Sequence, residues 1–414
     1  MRSGSGGHGA VTAVFLTVFI DLLGFGIVIP LLPLYAEDLH PTPLQFGLLM
    51  SSYSAMQFLF APLLGRLSDR VGRRPVLLVS LLGTVAGYLL FAFARSLPML
   101  FAARIIDGIT GGNIGTAQAV IADVTSGSDR ARGMGLIGMA FGLGFIFGPA
   151  IGGFSVHLGR SAPGLVAAAL SFAAFLFAFF RLPETRPAGS AARPFEVLSV
   201  ASVLRTARRP VIGTLLVVSL LSAVAFASFE TTFSQFLRAR YGFGPSSVAW
   251  VFVVIGVSSA LVQGGLIRRL IPRFGEARLI LAGLSCLAAG FALFAFGSGY
   301  AALFPAVVLM SLGTGLSNPA LMGFVSRRTP PTEQGEVLGS LQSMSALGRI
   351  AGPFWGETVF LRVGHVGPHV TGLVLEAAAL LLGAARLLGR PGAEEATARA
   401  GGEDTPSPGP ADRT

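Results

Sequence analysis

The chain has no lysine, a single cysteine, and charged residues at only 12% of its 414 positions. An ordinary soluble domain carries about a quarter charged residues, so too few polar side chains are present to cover two or three soluble domains. Cys286 has no partner in the sequence, which excludes a disulfide-stapled secreted scaffold. No GxxxxGK[ST] phosphate loop exists, which excludes a nucleotide-driven pump. The five histidines (His8, His40, His157, His365, His369) stand at ends or loops without metal-ligand spacing, and no apolar run holds a Ser/His/Asp set. Neither an enzyme nor a metal site is expected.

What the chain has in abundance is apolar surface: 52% hydrophobic residues and a mean hydropathy of +0.72. Its 55 glycines are about twice the usual share, which suits helices packed closely in lipid. All 30 basic residues are arginine. They fall in short clusters between apolar runs, such as Arg66, Arg70, Arg73 and Arg74, then Arg268, Arg269, Arg273 and Arg278. No basic stretch carries interleaved aromatics, so the net charge of +10 does not point to nucleic acid.

A helix crossing the hydrocarbon core needs about 20 apolar residues. Twelve runs qualify: 11–34, 45–64, 75–94, 98–121, 133–157 and 163–180, then 211–237, 246–267, 278–297, 300–324, 337–361 and 367–388. Placing the N-terminus inside puts 23 arginines on the inner face and 5 on the outer, so both termini are expected in the cytoplasm. The organisation expected is a short N-terminus (1–10), a six-helix bundle (11–180), an inner linker (181–210), a second bundle (211–388) and a disordered tail (389–414). The fold class expected is all-α integral membrane.

The two sets of six runs repeat each other. Gly144, Gly148, Pro149 and Gly152 recur 204 residues later as Gly348, Gly352, Pro353 and Gly356, and RLSDRVG (66–72) recurs as RLIPRFG (269–275). Paired six-helix repeats about a central cavity are a recurrent design of secondary transporters.

Four segments carry a family resemblance. GRLSDRVGRR (65–74) resembles the signature loop of the major facilitator superfamily, and RIIDGITGGN (104–113) its arginine-bearing fourth span. GLGFIFGPAIGG (142–153) is similar to the glycine-proline motif of its drug/proton antiporters, and DLLGFGIVIPLLPLY (21–35) looks like span one of the tetracycline-efflux branch. The resemblance implies twelve transmembrane helices in two six-helix repeats. It also implies proton-coupled efflux of small amphipathic molecules by alternating access; uptake or facilitated diffusion of a small solute by the same fold is the alternative. The implied partners are a small-molecule substrate, protons and the lipid bilayer, with no cofactor beyond the proton gradient, in a monomer of the bacterial inner membrane.

Residue by residue, the resemblance makes Gly65, Asp69, Arg70, Gly72, Arg73 and Arg74 a conformational latch, with Asp69 facing the positive N-terminal end of span eleven and Asp123 a partner for the arginines. In the second copy Pro272 replaces the aspartate, so the latch is expected on one side only. Gly144, Gly148 and Gly152 form one smooth ridge at spacings of four, next to Pro149 and Gly153. In antiporters such a ridge helps seal the halves; ordinary small-residue packing is the other reading. Tetracycline exporters also carry an acid in span three and a histidine and an aspartate in spans eight and nine. The corresponding runs here hold neither acid nor histidine, which argues against a metal–tetracycline substrate.

Charges inside the spans are costly unless paired or hydrated, and so mark function. Asp21 lies near the middle of span one, about 15 Å deep. Arg104 and Asp107 are neighbours on one face of span four, and Glu230 lies in the outer half of span seven. Desolvation favours the neutral form of Asp21 and a nearby arginine the charged one, so Asp21 is the first proton-coupling candidate, with Arg104, Asp107 and Glu230 beside it. A static buried ion pair is the competing role. Arg349 has either Glu357 or a residue across the cavity as its partner, and Glu376 has no assigned role.

Overall fold

The computed structural model describes residues 5–125, 136, 140, 143–144, 147–185, 200–330 and 333–388. Helices run through the chain: α1 (Ser5–Val28), α2 (Leu32–Glu37), α3 (Pro43–Val71), α4 (Arg73–Ala92), α5 (Leu97–Thr110), α6 (Asn113–Val124), α7 (147–155) and α8 (Ala162–Arg181). They continue as α9 (Val200–Ala207), α10 (Pro210–Tyr241), α11 (Pro245–Leu261), α12 (Ile267–Phe274), α13 (Glu276–Phe296), α14 (Gly299–Arg327), α15 (Gln334–Val363) and α16 (Gly367–Leu387). No strand occurs among the described residues. Eight of these helices (α1, α3, α4, α8, α10, α13, α14 and α16) are long and apolar enough to cross a membrane, consistent with the twelve runs of the sequence.

Local chemistry explains most boundaries. Thr42 and Gln45 form a reciprocal cap at the start of α3: the Gln45 N–H donates to the Thr42 hydroxyl at 3.3 Å, and the Thr42 N–H to the Gln45 side-chain oxygen at 2.9 Å. Gly242, at φ +69°, closes α10 in a left-handed turn. Gly72 (φ +107°) and Gly275 (φ +75°) occupy the same place in the two repeats, each joining the second span to the third at a backbone angle that disfavours a side chain.

Three runs differ from their sequence reading. The first breaks at Pro30, so its helix ends at Val28 and a short α2 follows. The fourth, expected as one span over 98–121, is interrupted at Gly111–Gly112, where two glycines lower helix propensity in succession. The eighth is extended: α11 passes through a π-turn at Val262–Leu266 straight into α12. Much of the fifth run, most of the linker (186–199) and the tail (389–414) lie outside the described residues; the linker's last part is the helix α9.

In the first half α1 and α4 pack on α8, and α3 and α4 on α5; in the second, α10 packs on α15 and α16, and α13 on α14 and α16. The halves meet where α3 lies along α15 and where α2 touches α10. The largest buried cluster fills the second half around Phe229, Phe233, Phe236, Phe291 and Phe294.

Candidate functional site

The intramembrane charges converge where the halves meet. Arg104 Nη1 lies 3.2 Å from an Asp107 carboxyl oxygen, both side chains buried, and its guanidinium sits 4.5 Å from the centre of the Tyr53 ring. Arg104 is therefore engaged with its own helix, and Asp21 has other company. The Ser171 hydroxyl, on α8, donates to Asp21 at 3.0 Å, and Asn113, at the start of α6, lies beside it. The break at Gly111–Gly112 brings Asn113 there.

Tyr53 is the hub of this group. From α3 it lies among Asp107, Arg104 and Asp21 of the first half and Arg349 of the second. Gln57 donates to its hydroxyl at 3.2 Å and to the Gly111 carbonyl at 3.0 Å. Arg349 faces Glu230 and Tyr53, so its electrostatic partners are a neighbour on α10 and a residue across the interface, and not Glu357. Part of its side chain remains exposed beside these partners. Glu230 sits deeper than the run 211–237 implied, because α10 continues to Tyr241.

At the arginine-rich end, Asp69 lies 2.7 Å from Arg73, and Arg73 in turn 3.2 Å from Asp123. Ser68 accepts from Arg73 at 2.6 Å. The helix that Arg73 opens is capped from outside: the Arg73 and Arg74 backbone N–H groups donate to the two oxygens of Glu184 at 2.9 and 3.1 Å. Arg74 also donates to the Phe179 carbonyl at 2.6 Å. Gly65 and Arg70 stand on the last turns of α3 within the same loop.

The second repeat keeps the Arg73–Asp123 bridge and the Asp21–Ser171 contact with their polarity exchanged. Glu276 stands where Arg73 does, and pairs with Arg327, which stands where Asp123 does. Ser222 and Glu376, joined at 3.0 Å between α10 and α16, mirror Asp21 and Ser171 between α1 and α8, with acid and hydroxyl interchanged. Glu376 is fully buried.

The glycine ridge of each repeat packs against the first long helix of its own half. A Cβ on Gly148 would lie 2.6 Å from the Gly26 Cα, one on Gly144 2.9 Å from the Leu22 carbonyl oxygen and one on Gly152 3.1 Å from that of Ile27. In the second half Gly348, Gly352 and Gly356 press on Val224 and Ser228 of α10 in the same way. Pro149, buried beside the first ridge, leaves one helix hydrogen bond unmade. The contact across the halves is made next to the ridge, by Gly153 against Ala249.

Polar contacts between the halves cluster at the end opposite the arginines. Arg238 pairs with Glu37 at 3.1 Å, and Ser246 is 2.6 Å from His157 and donates to the Gly153 carbonyl at 3.2 Å. Part-way down, Ser51 donates to the Ile350 carbonyl at 2.8 Å. The ion pairs at the arginine-rich end, Arg73–Asp123, Arg209–Glu333 and Arg327–Glu276, each join residues of one half.

The family model of the Major Facilitator Superfamily matches residues 14–353. The chain belongs to the major facilitator superfamily. It is a multi-pass membrane transporter and not an enzyme. Among its superfamily relatives, the class C tetracycline resistance protein of Escherichia coli is 35% identical over 350 residues, 84% of this chain and 88% of that protein. Major facilitator superfamily domain-containing protein 10 of Homo sapiens is 33% identical over 405 residues, 86% of this chain and 88% of that one. The crystal structure of the human organic anion transporter MFSD10 superposes with a TM-score of 0.72 at 30% identity, covering 92% of this chain and all of that one. The nucleoside transporter NupG superposes at 0.75 with 16% identity, over 92% and 99%, a likeness of fold.

For a superfamily transporter the Asp69–Arg73–Asp123 chain should govern how the arginine-rich end closes. Asp69→Asn is expected to leave the protein inserted but to slow transport by about tenfold, the equivalent of about 1.4 kcal/mol, because the neutral amide gives up the charge that faces Arg73 at 2.7 Å. Initial rates of the purified variant in liposomes check this, and wild-type rates would sink the latch.

Proposed function

We propose that this transporter is a proton-driven antiporter that exports small amphipathic organic molecules by alternating access, with Asp21 as the coupling acid. The arginine-rich face is then cytoplasmic, both termini lie there, and the protein works as a monomer in the bacterial inner membrane. The first bundle rocks against the second about the α3–α15 seam. One observation carries the reading: an intramembrane carboxyl held by the Ser171 hydroxyl, while the nearby guanidinium of Arg104 is engaged by Asp107. An acid held by hydroxyl and amide can gain or lose a proton without dismantling an ion pair. The tetracycline resistance proteins among its relatives support efflux. Tyr53, Phe25 (rings 5.1 Å apart) and Gln57 give the centre an aromatic and polar lining suited to amphipathic molecules.

A second reading, transport of organic anions, is favoured by the exposed Arg349 and by the activity named for the human organic anion transporter. A panel of cationic, neutral and anionic compounds, assayed in proteoliposomes with an imposed pH gradient, separates the two. Accumulation of cationic or neutral amphiphiles against the gradient supports the first; accumulation of carboxylates alone supports the second. Equal transport with and without the gradient refutes proton coupling.

A further inference from the structure

The outer seal contains an acid that transport at Asp21 does not use. Glu37 ends α2 in the first half, and Arg238 stands in the last turn of α10 in the second; their ion pair of 3.1 Å ties the mouth shut. Beneath it, on α15, Glu357 is 0% exposed, and neither of its carboxyl oxygens has a hydrogen-bond partner. Gln235, one turn before Arg238, lies beside both Glu37 and Glu357. We propose that Glu357 is a proton-binding residue of this seal, protonated when the mouth is closed and ionised when it opens.

One guanidinium can neutralise one carboxylate. Arg238 serves Glu37, so an ionised Glu357 would be a second negative charge, out of water, facing the first. A buried unpaired charge is among the costliest arrangements a protein can hold. Glu37 feels the same site: burial raises its pKa and Asp38 adds to the rise, against the pull of Arg238 and of Gln235. The other charged or titratable groups at this level do not compensate. Arg240 donates to the Gly297 carbonyl, Arg160 pairs with Asp38 at 2.6 Å, and His365, just before α16, and His369 within it lie against the Phe236 ring. On the inward side, Arg349 of the same helix faces Glu230. When the halves part, α2 leaves α10 and water reaches Glu357, so the carboxylate is tolerated there. Proton binding and closure must therefore favour each other, by the reciprocity of linkage. The inference rests on the alternating access proposed above, by which the mouth opens, but not on Asp21, because the seal responds to pH whether or not Asp21 couples transport.

The test uses the full chain in nanodiscs, with Cys286→Ser and spin labels at His40→Cys and Ser247→Cys on the two lips of the mouth. In the otherwise unchanged protein the short-distance population should grow on acidification, its ratio to the open form changing by at most about tenfold per pH unit for one linked proton. Glu357→Gln, neutral and of the same shape, should stay closed at every pH. Glu357→Asp should keep the response at a displaced midpoint, and Glu37→Gln should weaken closure yet keep the response. A wild-type pH response in Glu357→Gln overturns the proposal, as does a pH-independent mouth in the parent protein. Loss of the response in Asp21→Asn alone would assign it to Asp21 and overturn it equally.

Discussion

Asp21→Asn should abolish accumulation driven by a pH gradient while leaving substrate binding and passive exchange in place. The amide keeps the size of the side chain and still accepts from Ser171 at the position where the acid accepts at 3.0 Å. What it loses is the ability to change charge. Coupling free energies between two sites are typically about 1–3 kcal/mol, or about 5–150-fold, so uphill accumulation should fall by at least about that lower factor. Gradient-driven uptake and gradient-free counterflow, measured on the same proteoliposomes, give the two numbers. A carboxylate serving only as structure would lose both together, along with folding stability. Should Asp21→Asn still pump at the wild-type level, the carrier lies elsewhere, and Asp107 and Glu230 are next. Asp107 is tied to Arg104 at 3.2 Å, and Glu230 shares Arg349 with Tyr53, so neither is as free as Asp21.

Gly148→Leu is expected to have the second large effect. The Gly26 and Gly148 backbones touch closely enough that even a methyl on Gly148 would lie 2.6 Å from the Gly26 Cα. A leucine must push α1 and α7 apart along their length, because the obstacle is backbone, which has no alternative rotamer. Overpacking of side chains costs about 1–3 kcal/mol, and here the helices themselves must move, so the upper end is expected. The measurements are detergent-solubilised yield and melting temperature relative to Gly65→Leu, since an added Cβ at Gly65 meets open space. Equal yield and melting temperature for the two variants would show that the ridge carries no close helix contact. Transport should fail with yield, because α1 also positions Asp21.

The fold was largely legible because membrane physics leaves few choices: apolar length sets the spans, and the repeat of Gly144 to Gly152 at 204 residues pairs the halves. The site was legible only in part. Asp21, Arg104, Asp107 and Glu230 announce themselves as charges in apolar runs. Tyr53 does not, since one more aromatic among 33 phenylalanines carries no signal until α3 is seen beside Arg104 and Arg349. Arg104 and Asp107 were readable as neighbours, since a partner three residues away on one helix needs no tertiary arrangement, and they pair at 3.2 Å; that Ser171 and Asn113 are the company of Asp21 was not readable. Glu184 was invisible as a cap, for nothing in the segment 182–185 says that the chain leaving α8 returns to the start of α4. The exchanged bridges were hidden for a simpler reason. A repeat search matches like with like, and Arg73–Asp123 recurs as Glu276–Arg327.

The hydrogen bond between Asp21 and Ser171 spans 150 residues of sequence. At synthesis rates of about 5–20 residues per second, the hydroxyl emerges some 8–30 s after the acid it will hold. During that interval the newborn first helix waits beside the insertion machinery with a polar group and no native neighbour for it. Survival through that wait is a demand on biogenesis distinct from any demand of transport, and it falls on the same side chain. Substitutions at Ser171 should then act twice, once on the assembled carrier and once on how many nascent chains reach that state.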